Sequence, residues 1–138
     1  MRQRSAPNDL SWLLDDLVDR VGEIRQAVLL SRDGLVMSAS RTVGHEEAEH
    51  LAALSSGLHS LANGVREHFG RRETKQSIVE LEDALFFVSS AGSGSCLAVL
   101  SDSDGNIGLV GYEMAMLTTR LHKQLSAAAR TPPRTSRS

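Results

Sequence analysis

Leu10, Leu13, Leu14, Leu17, Val18 and Val21 recur at helical spacing behind Asn8 and Asp9, either of which can cap a helix, and Gly22 stops the run. The pattern then changes. Ala27–Leu30 and Leu35–Met37 are short apolar runs on either side of Ser31-Arg32-Asp33-Gly34, and Asp-Gly between such runs predicts a tight β-hairpin because glycine accepts positive φ. Two strands alone are marginal in water, so the hairpin requires further strands at its edge and helices over its faces.

A proline-free stretch from His45 to Phe69 predicts one long helix with two stripes. At about 100° per residue, Leu51, Leu54, Leu58, Leu61 and Val65 share an arc, expected to be the core face with Leu54, Leu58 and Leu61 at its centre. Beside it run Ala53, Gly57, Ser60 and Gly64. Two glycines on one helical line predict a close approach, either to another element of the chain or to a helix of a second copy. The next arc, Glu49, Ala52, Ser56, His59 and Asn63, is then expected to face outward as a low platform for a protein partner.

Three strands follow, at Lys75–Leu81, Ala84–Ser90 and Ser95–Ser101, with short turns between them that predict a meander. The first alternates least cleanly, as an edge or interface strand would, whereas Leu85–Val88 and Leu97–Leu100 read as buried on both faces. Val110, Met114, Leu117, Leu121 and Leu125 mark one face of a last helix. The order is αββαβββα, an α+β arrangement whose connections suit an antiparallel sheet. Residues 8–129 are expected to form the single domain, with disordered ends at 1–7 and 130–138.

Composition narrows the function. A net charge of −2 over 138 residues offers no general attraction to nucleic acid or anionic lipid. One cysteine, Cys96, excludes an internal disulfide framework and a cysteine-rich metal site. With no apolar run near the ~18 residues of a membrane span and no signal-peptide core, the expected location is cytoplasmic, without direct membrane insertion.

The chemical motifs are weak. Gly92-Ser93-Gly94 leads into a strand rather than a helix, so it reads as a turn and not a phosphate loop. Asp102, Asp104, Asn106 and Glu113 take calcium-loop positions, but Ile107 stands where that loop needs glycine. His45-Glu-Glu-Ala-Glu-His50 misses the zincin spacing, since Glu49 replaces the second histidine. Cys96 lies among aliphatics, where a thiol is inert, and His59, His68 and His122 lack paired acids and are expected at solvated or rim positions. No enzyme, cofactor or metal site is expected.

The element order, together with Leu10-Ser-Trp-Leu-Leu-Asp-Asp-Leu-Val, Ala27-Val-Leu-Leu-Ser-Arg-Asp-Gly-Leu and Ile107-Gly-Leu-Val-Gly-Tyr-Glu-Met, resembles the bacterial branch of the roadblock/LC7 family. The likeness spans about Asn8 to Ala129 and is strongest to MglB-like members encoded beside a small GTPase and a sensor-kinase-like membrane protein. It implies a profilin-like fold, with a five-stranded antiparallel sheet, the long helix on one face and the terminal helices on the other. It also implies a homodimer through the third strand, here Ser77, Ile78 and Val79, and through the central helices, here Ala53, Gly57, Ser60 and Gly64. The function implied is a non-enzymatic adaptor for a Ras-like small GTPase, with a regulating or localising role and recruitment to the membrane through a partner. Arg66, Arg71 and Arg72 are available arginines, and nothing in the sequence aims one at a nucleotide. The competing class is a small-molecule sensor of PAS/GAF-like type, which needs a cavity of about 300 Å³ with converging polar groups.

Overall fold

A computed structural model describes residues 9–102 and 106–130, with side chains through Ala127. The chain runs α1 (Ser11–Arg20), β1 (Ile24–Leu30), β2 (Val36–Ala39), α2 (His45–His68), β3 (Gln76–Glu80), β4 (Ala84–Gly92), β5 (Ser95–Asp102) and α3 (Ile107–Arg130). The disordered ends expected at 1–7 and 130–138 lie outside the described residues, save Arg130 at the end of α3, as do Asn8 and Asp104.

The strands form one antiparallel sheet in the order β2-β1-β5-β4-β3, so the element order and fold class agree with the sequence reading. β5 returns to the middle and pairs with β1, Ala27 opposite Val99 and Leu29 opposite Leu97. Because side chains alternate across a strand, each strand serves two cores. Ala27, Leu29, Leu85, Phe87, Leu97 and Val99 face α1 and α3, where they meet Leu13, Leu14, Leu17, Val110, Met114, Leu117 and Leu121. Val28, Leu30, Val88, Cys96 and Ala98 face α2.

Local chemistry sets the boundaries. At the start of α1 the Asp9 carboxylate accepts the Ser11 backbone N–H at 3.0 Å and its hydroxyl at 2.8 Å, although Leu10 holds the cap position. The hairpin is looser than expected. Gly34, at φ +82°, donates to the Ser31 carbonyl at 2.9 Å and Ser31 donates to the Leu35 carbonyl at 2.8 Å, which closes a loop over residues 31–35. Leu35 is therefore exposed in the loop, and β2 begins at Val36.

The central helix departs most from expectation. Its inward line is Ala48, Leu51, Ala52 and Ser55, while Leu54 is 55% exposed, Leu61 72% and Val65 60%; Leu58 is half-buried. The predicted Leu54–Leu58–Leu61 core is thus overturned. The reason is packing distance. Small residues let the helix backbone settle onto Val28, Ala98, Val88 and Leu30, whereas a row of leucines would hold it off. The helix is rotated by roughly 90° from the predicted orientation, about one residue step.

Candidate functional site

That rotation moves every stripe on α2. Its outward side holds Ala53, Gly57, Ser60 and Gly64, all exposed, and Gly57 and Gly64 have open space where a side chain would begin. On the flank toward the sheet edge lie Leu54, Leu61 and Val65, followed by Phe69 at 65% exposure. Val65 and Phe69 border a hollow of about 550 Å³ with Lys75, Gln76 and Ser77, so the apolar flank runs on to β3. β3 has a strand neighbour on one side only, and Ile78 and Val79 are exposed on it. Ile78 pairs with buried Phe87 and Val79 with Phe86, so the two project from opposite faces of the sheet.

The platform expected on the next arc is not there. Ala52 is fully buried against the sheet. Ser56 is half-buried, its Cβ and Oγ close against Gly34 of the β1–β2 loop. Asn63 is half-buried and accepts the Thr74 hydroxyl at 3.1 Å. His59 is half-buried too, and its Nδ1 has no hydrogen-bond partner among the described residues. Burial lowers its pKa. Of this set Glu49 alone is exposed, 3.2 Å from His45 Nε2 across one helical turn. The arc fails because an arc one residue step from the core is itself core flank once the helix rotates.

The large apolar residues of the flank were misread as core, yet a signal for them exists. Leu54–Leu58–Leu61–Val65 and Ala48–Leu51–Ala52–Ser55 together cover more of the helix than one sheet contact needs, so one stripe has to remain uncovered.

Chemistry elsewhere is subdued. Cys96 is buried in the central strand and its thiol is pushed up to about 11 by desolvation, so at neutral pH it is not a thiolate. Asp102 receives Arg25 Nε at 3.1 and 3.0 Å and Nη2 at 2.6 Å, a fork that occupies its carboxylate. A hollow of about 320 Å³ beside α2 is lined by His59, Ser56, Asn63, Arg32, Ser31 and Cys96 among others. No helix among the described residues is long and apolar enough to cross a membrane.

The comparisons agree with this architecture. No curated protein matches the chain. Among solved structures, a Roadblock/LC7 domain from Streptomyces avermitilis is 46% identical with a TM-score of 0.81, covering 86% of this chain and 98% of its own. A second structure of a Roadblock/LC7 domain from that organism is 39% identical with a TM-score of 0.68, covering 80% and 96%. MglB from Myxococcus xanthus shares the fold at 20% identity and a TM-score of 0.76, covering 85% and 94%. The family model described as Roadblock/LC7 domain matches residues 10–101, and with that match the chain belongs to the Roadblock/LC7 domain family.

Proposed function

We propose that the chain is a homodimeric, non-enzymatic adaptor that binds a Ras-like small GTPase and regulates or localises it. The observation that carries the reading is the uncovered apolar flank of α2 running into the free edge of β3. Leu54, Leu61, Val65 and Phe69 beside an open strand edge form the kind of surface that stays soluble by meeting a copy of itself. Ser77, Ile78 and Val79 then pair with the same strand of the partner, and the leucine flanks of the two central helices meet. Burial of each leucine in that contact is worth about 1.5–3 kcal/mol.

In this arrangement Ala53, Gly57, Ser60 and Gly64 lie next to the helix contact and form a roof of short side chains shared by two copies. That roof takes over the partner-binding role first expected of the Glu49–Asn63 arc. A surface with few mobile side chains loses little entropy when a partner docks. The partner class comes from the family likeness of the motifs, and recruitment to the membrane through a sensor-kinase-like protein belongs to the same proposal. The test is light scattering of the purified chain, followed by co-purification with small GTPases of the same genome loaded with GDP or a non-hydrolysable GTP analogue. A dimer retained in a complex with one nucleotide state is the expected result; a monomer at micromolar concentration overturns the interface.

A small-molecule sensor is the second reading, favoured by the hollow of about 320 Å³ where His59 Nδ1 faces no partner among the described residues. A metabolite panel read by thermal shift separates it from the adaptor reading, because an adaptor gives no ligand-dependent shift that His59→Ala abolishes.

A further inference from the structure

β3 and β4 do not end together. β3 begins at Gln76, opposite Ser89, whereas β4 continues through Ser90 and Ala91 to Gly92, so these three residues have no strand beside them on that side. Ahead of β3 the chain runs beside α2, where the Thr74 hydroxyl donates to Asn63 at 3.1 Å. What remains is a groove of about 800 Å³ floored by Ser90, Ala91 and Gly92, with Asn63, Arg66 and Thr74 on one side and Thr118, Thr119 and His122 on the other. Gly92, at φ +96°, closes one end, since a side chain there would run into the His122 ring. Arg32 crosses from the β1–β2 loop and lies against Gly94 at the same end.

We propose that this groove accepts an extended acidic peptide segment of a partner protein, added to the sheet alongside the end of β4. Main-chain pairing with an open strand edge supplies a general attraction, and the flanking side chains select the sequence. Two arginines line the groove against one carboxylate, Glu73, in a chain whose net charge is −2. Arg32 has no ion pair among the described residues, and Arg66 meets only Glu67, at 3.4 Å, so both guanidinium groups can take a carboxylate. Charge also argues against the protein's own ends as occupants. Residues 1–8 carry Arg2 and Arg4, residues 131–138 carry Arg134 and Arg137, and neither stretch holds an acid. The groove lies beyond the first residue of β3, although Arg66 and Thr74 also border the hollow beside Val65 and Phe69.

The test uses the full chain, labelled with ¹⁵N, and five probes. They are an acetylated and amidated heptapeptide alternating Glu with Thr and Val, its Lys counterpart, the acidic peptide N-methylated along each edge in turn, and inorganic phosphate. The acidic peptide is expected to shift the amides of Ser90, Ala91 and Gly92 and to bind at least tenfold more tightly than the Lys peptide. N-methylation of one edge is expected to weaken it about tenfold or more, since that edge loses its donors. Arg32→Glu with Arg66→Glu should turn the preference toward the Lys peptide, and Arg32→Glu alone serves if the double variant does not fold. Equal binding of both N-methylated peptides, shifts confined to other residues, no preference for the acidic peptide, or phosphate matching its affinity at the same amides overturns the proposal.

Discussion

α2 and α3 have the same length and lie on opposite faces of one sheet, yet they turn side chains of different size toward it. α3 turns Val110, Met114, Leu117 and Leu121 inward, where all four are buried with Phe87, Leu97 and α1. α2 turns Ala48, Ala52 and Ser55 inward and leaves Leu54, Leu61 and Val65 uncovered. α3 too leaves Leu109, Tyr112 and Met116 exposed, so the contrast lies in the inward lines, large on α3 and mostly small on α2. The difference lies in what each helix has beside it. α3 shares its face with α1, tied by Arg20 to Glu113 at 2.7 Å, and the two helices enclose a thick core. Among the described residues α2 is the one helix on its face, packed through Ala48, Leu51 and Ala52, so a second apolar arc is left over.

The contrast is open to attack at several points. The largest effect is expected from Leu117→Ala, which cuts a cavity in the α1–α3 layer and should cost about 2–5 kcal/mol in chemical denaturation. Next comes Leu61→Glu, which should leave the monomer folded but put a charge in each half of the dimer contact. A loss of about 3 kcal/mol, roughly 100-fold in dimer Kd by analytical ultracentrifugation, is expected. Ala52→Leu should cost about 1–3 kcal/mol of folding stability, because a larger side chain pushes α2 off the sheet; an unchanged midpoint would show that the small inner line is not needed.

Gly57→Ala should do the reverse and raise stability by up to about 1 kcal/mol, since the position is mid-helix with open space above it. The smallest effect concerns pH. Arg25 hydrogen bonds hold the Asp102 carboxyl below its ordinary value, so this pair adds stability above the normal carboxylate range and loses it as pH falls through the lowered pKa. Arg25→Ala should move the Asp102 midpoint upward in a carbon-detected NMR titration. A midpoint that stays in place would remove Arg25 as the cause.

Much was legible before any coordinates, for particular reasons. The apolar lines Leu10 to Val21 and Val110 to Leu121 are the ones that face the core in α1 and α3, while Trp12, Leu109, Tyr112 and Met116 lie outside them and are exposed. The strands around Phe87 and Leu97 alternate over two buried faces, and the free edge at Ser77–Val79 showed in its poorer alternation. Of the candidate interface, Ala53, Gly57, Ser60 and Gly64 are legible as a line of small residues expected at a close approach, and in this chain the line is exposed with open space at Gly57 and Gly64.

What the sequence by itself determined, then, is the order of elements, the antiparallel pairing and the inward faces of α1 and α3. Tertiary structure decided the rotation of α2. Periodicity measures where apolar residues recur, not how near a backbone can come to the surface beneath it. With two apolar arcs on one helix, side-chain size points to leucine as core, whereas the short distance to Val28, Ala98 and Cys96 admits alanine and serine. The uncovered end of β4 was likewise decided in three dimensions. It depends on where β3 starts relative to Ser89, and register between strands has no period along the chain.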